Sequence, residues 1–227
     1  MLRPVSRRVE VFVGPFGSGK TEVALNRALA LARGPARPCP VTLLDLDVVD
    51  PYFRARDARA VLEAAGVRLV APGPEWDFVD LPLLVAEQLA AAGDGDVVCD
   101  AGGESHGALV LRQLAPALRG LARVYLVVNP YRPYMRTAEG MAAARRDLES
   151  AADLPVVGLV ANPHLGLATT PQVIEDGYAI VSAAAARMAL PVVWTAVAAP
   201  LAGAVRLPGE ILPLTFHLLP PWELEVA

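Results

Sequence analysis

Short runs rich in Val and Leu alternate along the chain with longer Ala-rich stretches whose apolar residues recur at helical spacing. The short runs lie at residues 9–13, 41–45, 67–70, 96–100, 124–128, 156–161 and 192–197. They are apolar almost throughout, as parallel strands covered by helices on both faces must be. Helical stretches are expected between them at 20–32, 57–65, 82–92, 108–118, 138–152 and 171–188. This alternation predicts a doubly wound, mostly parallel α/β sheet of about seven strands with helices on both faces. Turn residues punctuate the joints: Gly34-Pro35, Gly66, Pro72-Gly73-Pro74, Gly93-Asp94-Gly95, and Thr169-Thr170-Pro171 as a cap with Pro at the first helical position.

One domain spanning 1–227 is the simplest organisation, with 206–227 as a Pro-rich C-terminal tail. The tail reads as a strap over the sheet edge or a helix face, or as a partner contact. The stretch 179–205 is long and apolar, but Arg187 and Pro191 interrupt it, so a buried helix running into a buried strand is expected and not a transmembrane segment.

The first loop carries chemistry. Gly14-Pro15-Phe16-Gly17-Ser18-Gly19-Lys20-Thr21 matches the phosphate-binding pattern GxxxxGK[ST], directly after a strand and directly before a helix. Glycines let successive N–H groups point at phosphate oxygens, and the helix adds its positive end. Lys20 then reaches the β- and γ-phosphates, and the Thr21 hydroxyl can ligate Mg2+. Gly14, Gly17, Ser18, Gly19, Lys20, Thr21 and Glu22 are the expected nucleotide-binding residues. Of the 20 basic residues Lys20 is the only lysine, so Arg meets every other need for positive charge. A compact ammonium on a flexible stem suits a tight phosphate loop in a way that a planar guanidinium does not.

Composition narrows the partners. An apolar share of 54% against 19% charged excludes a disordered chain. A net charge of -4 with no basic run gives no field for nucleic acid, and none is expected as a partner. Cys39 and Cys99 have no CxxC partner and no His at metal-ligand spacing, so no structural zinc is expected. The first residues lead straight into a strand with no apolar signal segment, which reads as cytoplasmic.

Strand two ends in Asp45-Leu46-Asp47 and strand four in Asp100-Ala101-Gly102-Gly103, placing carboxylates beside the phosphate loop. That edge of an open α/β sheet is where ligands bind. Asp100 is the natural holder of a Mg2+-bound water, with a helix or turn cap as its alternative. Asp45 and Asp47 share a face if the strand continues through them.

In the order and spacing of these motifs the chain resembles the MinD/ParA-type (CobQ/CobB/MinD/ParA) nucleotide-binding superfamily, over most of its length. The stretch from Asp45 to Asp57 looks most like a little-characterised bacterial ATP-binding branch. The resemblance implies that Asp45 joins the Mg2+ shell with Thr21 and Asp100. It also implies that Asp47 is catalytic with Lys20, orienting the attacking water, and that Asn162 approaches adenine. The family's second lysine, early in the loop, is replaced here by Pro15, and with it goes the residue that crosses to the partner's nucleotide in the dimeric relatives. Asn162-Pro163-His164-Leu165 lacks the aspartate that reads guanine, which points to ATP.

Three further loops fall at this edge: Pro51-Tyr52-Phe53-Arg54, Gly103-Glu104-Ser105-His106, and residues 129–136, which hold Tyr131, Arg132, Tyr134 and Arg136. In the first and third, aromatics and arginines concentrate, which suits an anionic second ligand, a partner surface or an arginine for transferring phosphate; plain solvated loops are the alternative. His106 reads as a loop or cap residue. The expected function is an ATP- and Mg2+-dependent switch with slow hydrolysis, acting on a protein partner or through a homodimer. The alternatives are a small-molecule kinase or ATP-dependent ligase, with Arg54, Arg132 and Arg136 on the acceptor, and a scaffold that binds nucleotide without turnover.

Overall fold

The computed structural model describes residues 7–34, 39–47, 54–71, 81–103 and 105–218. Among the described residues the strands are β1 (Val9–Val13), β2 (Val41–Asp45), β3 (Val67–Val70), β4 (Asp96–Asp100), β5 (Ala122–Val128), β6 (Val156–Ala161), β7 (Val192–Ala198) and β8 (Ile211–Leu214). They form one sheet in the order β3-β2-β4-β1-β5-β6-β7-β8, with every pair parallel. The helices are α1 (Lys20–Arg33), α2 (Arg59–Ala64), α3 (Leu81–Ala91), α4 (Ser105–Leu118), α5 (Ala138–Ala152) and α6 (Pro171–Arg187). The fold is the doubly wound α/β arrangement of P-loop nucleoside triphosphatases.

The expected strands all form, and an eighth joins them. Ile211–Leu214 lies within the stretch read as a tail, where Pro213 argues against a strand. It pairs only with β7, Pro213 standing beside Val197, and a sheet edge is where a strand tolerates a proline. Residues 219–227, with Trp222, lie outside the described residues.

Side chains alternate along β1 and feed two cores. Val9, Val11 and Val13 join the layer that includes Leu111, Leu114, Met141, Leu148 and Val181. Phe12 faces the other way, with Val23, Leu25, Ala28 and Leu29 of α1 and with Leu43, Tyr125 and Trp194. Both faces are therefore dry, which is why the strands lack polar alternation. Glu10 is one of the few polar strand residues, buried in β1 on the α1 side. A buried carboxylate persists only when paired, and Arg27 of α1 meets it with Nε at 2.7 Å and Nη2 at 2.8 Å. The same guanidinium lies 4.5 Å over the Trp194 ring. One arginine thus ties α1 to β1 and β7.

The stretch 179–205 resolves into the end of α6 followed by β7, and no helix among the described residues is long and apolar enough to cross a membrane. Thr170 caps α6 as expected, its hydroxyl accepting from Val173 N at 3.3 Å with Pro171 next in line.

Beyond β8 the chain returns across α1. Asn26 Nδ2 donates to the Thr215 carbonyl at 2.9 Å, and its Oδ1 accepts from Thr215 N at 2.8 Å, so one side chain replaces a strand partner. Asn26→Ala should leave both backbone groups unpaired and lower stability by about 2 kcal/mol in urea unfolding, whereas a change within 0.5 kcal/mol would show that water serves Thr215 equally well.

Candidate functional site

The phosphate loop folds as its glycines require. Gly17 and Gly19 adopt left-handed φ of 73° and 82°, values that side-chain-bearing residues avoid. The turn is closed by Ser18 N donating to the Pro15 carbonyl at 3.0 Å. Helix α1 begins at Lys20, and Gly19 at its N-cap offers no side chain to the first-turn N–H groups. Those donors are left to whatever enters the loop. Gly103 packs so closely that a Cβ would stand 2.5 Å from the Gly14 carbonyl carbon, so the loop after β4 leans directly on the phosphate loop.

The carboxylates converge from one side. In the pairing of β2 with β4, Asp45 stands opposite Asp100, and the ladder runs one step further through Leu46 N to the Asp100 carbonyl at 2.8 Å. Leu43 and Val98, two residues before each, point into the α1 layer, so both carboxylates face the start of α1. All three aspartates are buried. Lys20 Nζ lies 2.7 Å from Asp47 Oδ2, and Arg56 Nε lies 3.0 Å from Asp45 Oδ2.

Neither oxygen of Asp100 has a hydrogen-bond partner of good geometry among the described residues, nor do Asp45 Oδ1 and Ser18 Oγ. Burial pushes the Asp100 carboxyl up to about 7, with Asp45 and Asp47 adding repulsion and Lys20 and Thr21 opposing. Burial also raises Asp45, against the pull of Arg56. Orphaned buried oxygens next to a phosphate loop suit a hard divalent cation such as Mg2+. No group of three or more His, Cys, Asp or Glu among the described residues is arranged to hold a metal unaided. An ion here would depend on phosphate and water oxygens as well, which is the habit of Mg2+.

On the other side of β1 the loop is held by β5 and β6. Asn162, just after β6, donates Nδ2 to the Ser18 carbonyl at 2.7 Å and fills the space a Cβ on Gly19 would need. Asn129, just after β5, accepts from Tyr131 N and donates to the His164 carbonyl, both at 3.1 Å, joining the two loops. Arg132 Nε donates to the Gly17 carbonyl at 3.0 Å. Burial, and then Arg132, hold the His164 imidazole below its usual range.

Gly14, Gly17, Ser18, Gly19, Lys20, Thr21, Asp45, Asp47, Asp100 and Asn162 thus gather at one sheet edge. Glu22 departs from expectation. Its Oε1 accepts from His217 N and Leu218 N, each at 2.8 Å, so its carboxylate is committed to the returning chain and not offered to a nucleotide. Its place in the first turn of α1 does not reveal this, because the partner lies 195 residues away. Pro51, Tyr52, Phe53, Glu104 and the side chains of Ser105 and His106 lie outside what is described. The sequence reading missed the contacts of Asn129, Arg56 and His164; Asn129 and His164 follow closely on strand ends, whereas Arg56 lies 11 residues beyond Asp45 and carries no such hint.

Asp100 carries a test. Its folded-state pKa is raised, so it favours the fold below pH 3.8 and disfavours it increasingly as pH climbs towards about 7. In EDTA, Asp100→Asn should raise stability at pH 8, by up to about 4 kcal/mol, and the gain should vanish by about pH 4. A pH-independent difference between the two proteins in urea unfolding would refute the buried-charge account.

No family model matches the chain, and no curated protein matches it by sequence. Solved structures match its shape. The signal recognition particle receptor FtsY from Elizabethkingia anophelis, in complex with GDP, aligns with TM-score 0.58 and 18% identity over 85% of this chain and 58% of its own. FtsY from Thermotoga maritima aligns with TM-score 0.59 and 16% identity over 85% and 62%. The signal recognition particle 54 kDa protein from Aeropyrum pernix, also with GDP, aligns with TM-score 0.59 and 23% identity over 84% and 41%. The chain spans less than two thirds of each, and at such identity the likeness is one of fold. It places the phosphate loop and its neighbouring carboxylates on a P-loop nucleoside triphosphatase-like scaffold.

Proposed function

We propose that this chain binds ATP with Mg2+ at the Gly14 to Thr21 loop, hydrolyses it slowly, and uses the exchange as a switch on a protein partner, in the manner of the MinD/ParA-type proteins it resembles. The observation that carries the reading is the buried Lys20–Asp47 pair at 2.7 Å. The residue expected on the phosphates and the residue expected on the attacking water neutralise one another. A triphosphate entering the loop competes with Asp47 for the ammonium, and charge-assisted bonds to phosphate favour the exchange. Asp47 is released by that step and becomes able to orient water and accept its proton. Arrival of substrate and arming of the base are then one event, as a nucleotide-dependent switch requires.

Thr21, Asp45 and Asp100 are the residues that would hold Mg2+, and the ion would supply charge neutralisation on the phosphates. The first-turn N–H groups of α1 and the loop amides bind the phosphates. Gly103, packed on Gly14, brings the loop after β4 within reach of the phosphate site. The lack of an aspartate in Asn162-Pro163-His164-Leu165 supports adenine, while the GDP held by two structural neighbours makes GTP the comparison to run.

Calorimetry with Mg2+ and ATP or GTP tests the reading. Lys20→Ala should weaken ATP by about 100-fold or more. Asp47→Asn should bind ATP as well as the native protein or better, since Lys20 loses its competitor, yet release phosphate about 100-fold more slowly. Native binding of neither nucleotide, or an unchanged rate in Asp47→Asn, would overturn the proposal.

A further inference from the structure

The strand order separates the two ends of whatever lies in the phosphate loop. Asp45, Asp47 and Asp100 come from β2 and β4, on one side of β1; Asn129, Arg132, Asn162 and His164 follow β5 and β6, on the other. A metal-bound terminal phosphate belongs with the carboxylates. A nucleoside attached to the other end of the phosphate chain must leave over the β5 and β6 loops.

Arg132 occupies that exit. Its Nε is held by the Gly17 carbonyl, and the first atoms a Cβ on Gly17 would meet are Arg132 Nη2, Cζ and Nε, so the guanidinium lies against the bare backbone of the loop. Among the described residues Nη1 and Nη2 carry no further hydrogen-bond partner, and the side chain is exposed. Its root is fixed: Tyr131 N is bonded to Asn129 Oδ1, and Tyr131 Oη donates to the Val173 carbonyl at 2.6 Å. Burial, and then Arg132, lower the neighbouring His164 imidazole, and the Arg132 guanidinium brings positive charge to this side. A planar, weakly hydrated guanidinium with a free face is suited to stacking on a purine and to hydrogen bonding a ribose.

We propose that Arg132 is the nucleoside clamp of the phosphate loop: its guanidinium packs on the base and ribose of a bound nucleotide and takes no part at the terminal phosphate. This rests on the proposed nucleotide site and goes beyond it. Arg132 of the 129–136 loop is assigned to the nucleotide's inner end, and neither to an acceptor substrate nor to the transferring phosphate.

Three probes separate the possibilities: ATP, ADP and inorganic tripolyphosphate, each with Mg2+, titrated calorimetrically into native protein, Arg132→Ala and Arg132→Lys. The clamp predicts that Arg132→Ala weakens ATP and ADP by the same factor, about tenfold, and leaves tripolyphosphate within about twofold. Arg132→Lys should recover little, because an ammonium cannot stack as a plane. A loss confined to ATP would overturn the clamp and put Arg132 at the terminal phosphate. A parallel loss for tripolyphosphate would overturn it in favour of a brace on Gly17, and three unchanged affinities would remove any role in binding. Nucleotide binding that Arg132→Ala leaves unaltered would defeat the clamp alone, whereas native protein that binds tripolyphosphate but no nucleotide, or none of the three, would defeat the nucleotide site itself.

Discussion

Three aspartates buried at one corner of a sheet, answered among the described residues by one lysine and one arginine, set the terms for the rest of the structure. Carboxylates removed from water cost several kcal/mol each unless compensated. Asp47 has Lys20 and Asp45 has Arg56. Asp100 has no such partner among the described residues, and burial carries its carboxyl up to about 7. Near neutral pH the corner can balance its charge by keeping a proton on Asp100. A divalent cation would take that proton's place and satisfy the orphaned oxygens of Asp45 and Asp100 together. The oxygens of this corner are thus compensated by a proton and two cations, an arrangement that a divalent cation could replace.

Helix α1 is the part through which this corner is tied to the rest of the fold. Its first turn carries Lys20 and Thr21, and its middle puts Val23, Leu25, Ala28 and Leu29 into the core. Arg27 then locks it to Glu10 in β1 while lying over Trp194 in β7. The ring of Trp194 meets Tyr125 and Phe12 with centroids 5.1 and 6.2 Å apart, so that face of the sheet is cemented from β1 to β7. Loop amides act on phosphate only while their directions are fixed. The stiffness of α1 and its seat is therefore part of the binding site.

The strands and helices could be read from the sequence because both faces of this sheet are covered, so each strand shows as an apolar run with glycines and prolines at its ends. The phosphate loop was as plain, since its pattern is local and carries its mechanism with it. β8 was hidden by Pro213, whose meaning depends on whether the strand is central or at an edge, and that is a property of the sheet. The carboxylates were placed at the right edge, but their pairing was not legible. Nothing in the spacing of Lys20, Asp45, Asp47 and Arg56 says which cation meets which anion. Arg132 stood out as one of several arginines in polar loops; only the stacking order of β4, β1, β5 and β6 gives it a side of the nucleotide.

Glu22 shows how the far end of the described chain bears on the site. It sits directly after Thr21, and a carboxylate in a first helical turn is favoured by the helix dipole. There it would also repel an incoming phosphate were it left free. Burial raises its carboxyl to about 7 and the amides of His217 and Leu218 oppose that shift, so the returning chain both screens the group and fixes it. Asn26, one turn further along α1, grips Thr215 through two hydrogen bonds. The segment read from sequence as a strap or a partner contact therefore has a second consequence beyond covering a helix. It turns an acidic side chain away from the phosphate loop and pins the first turns of the helix whose amides that loop depends on.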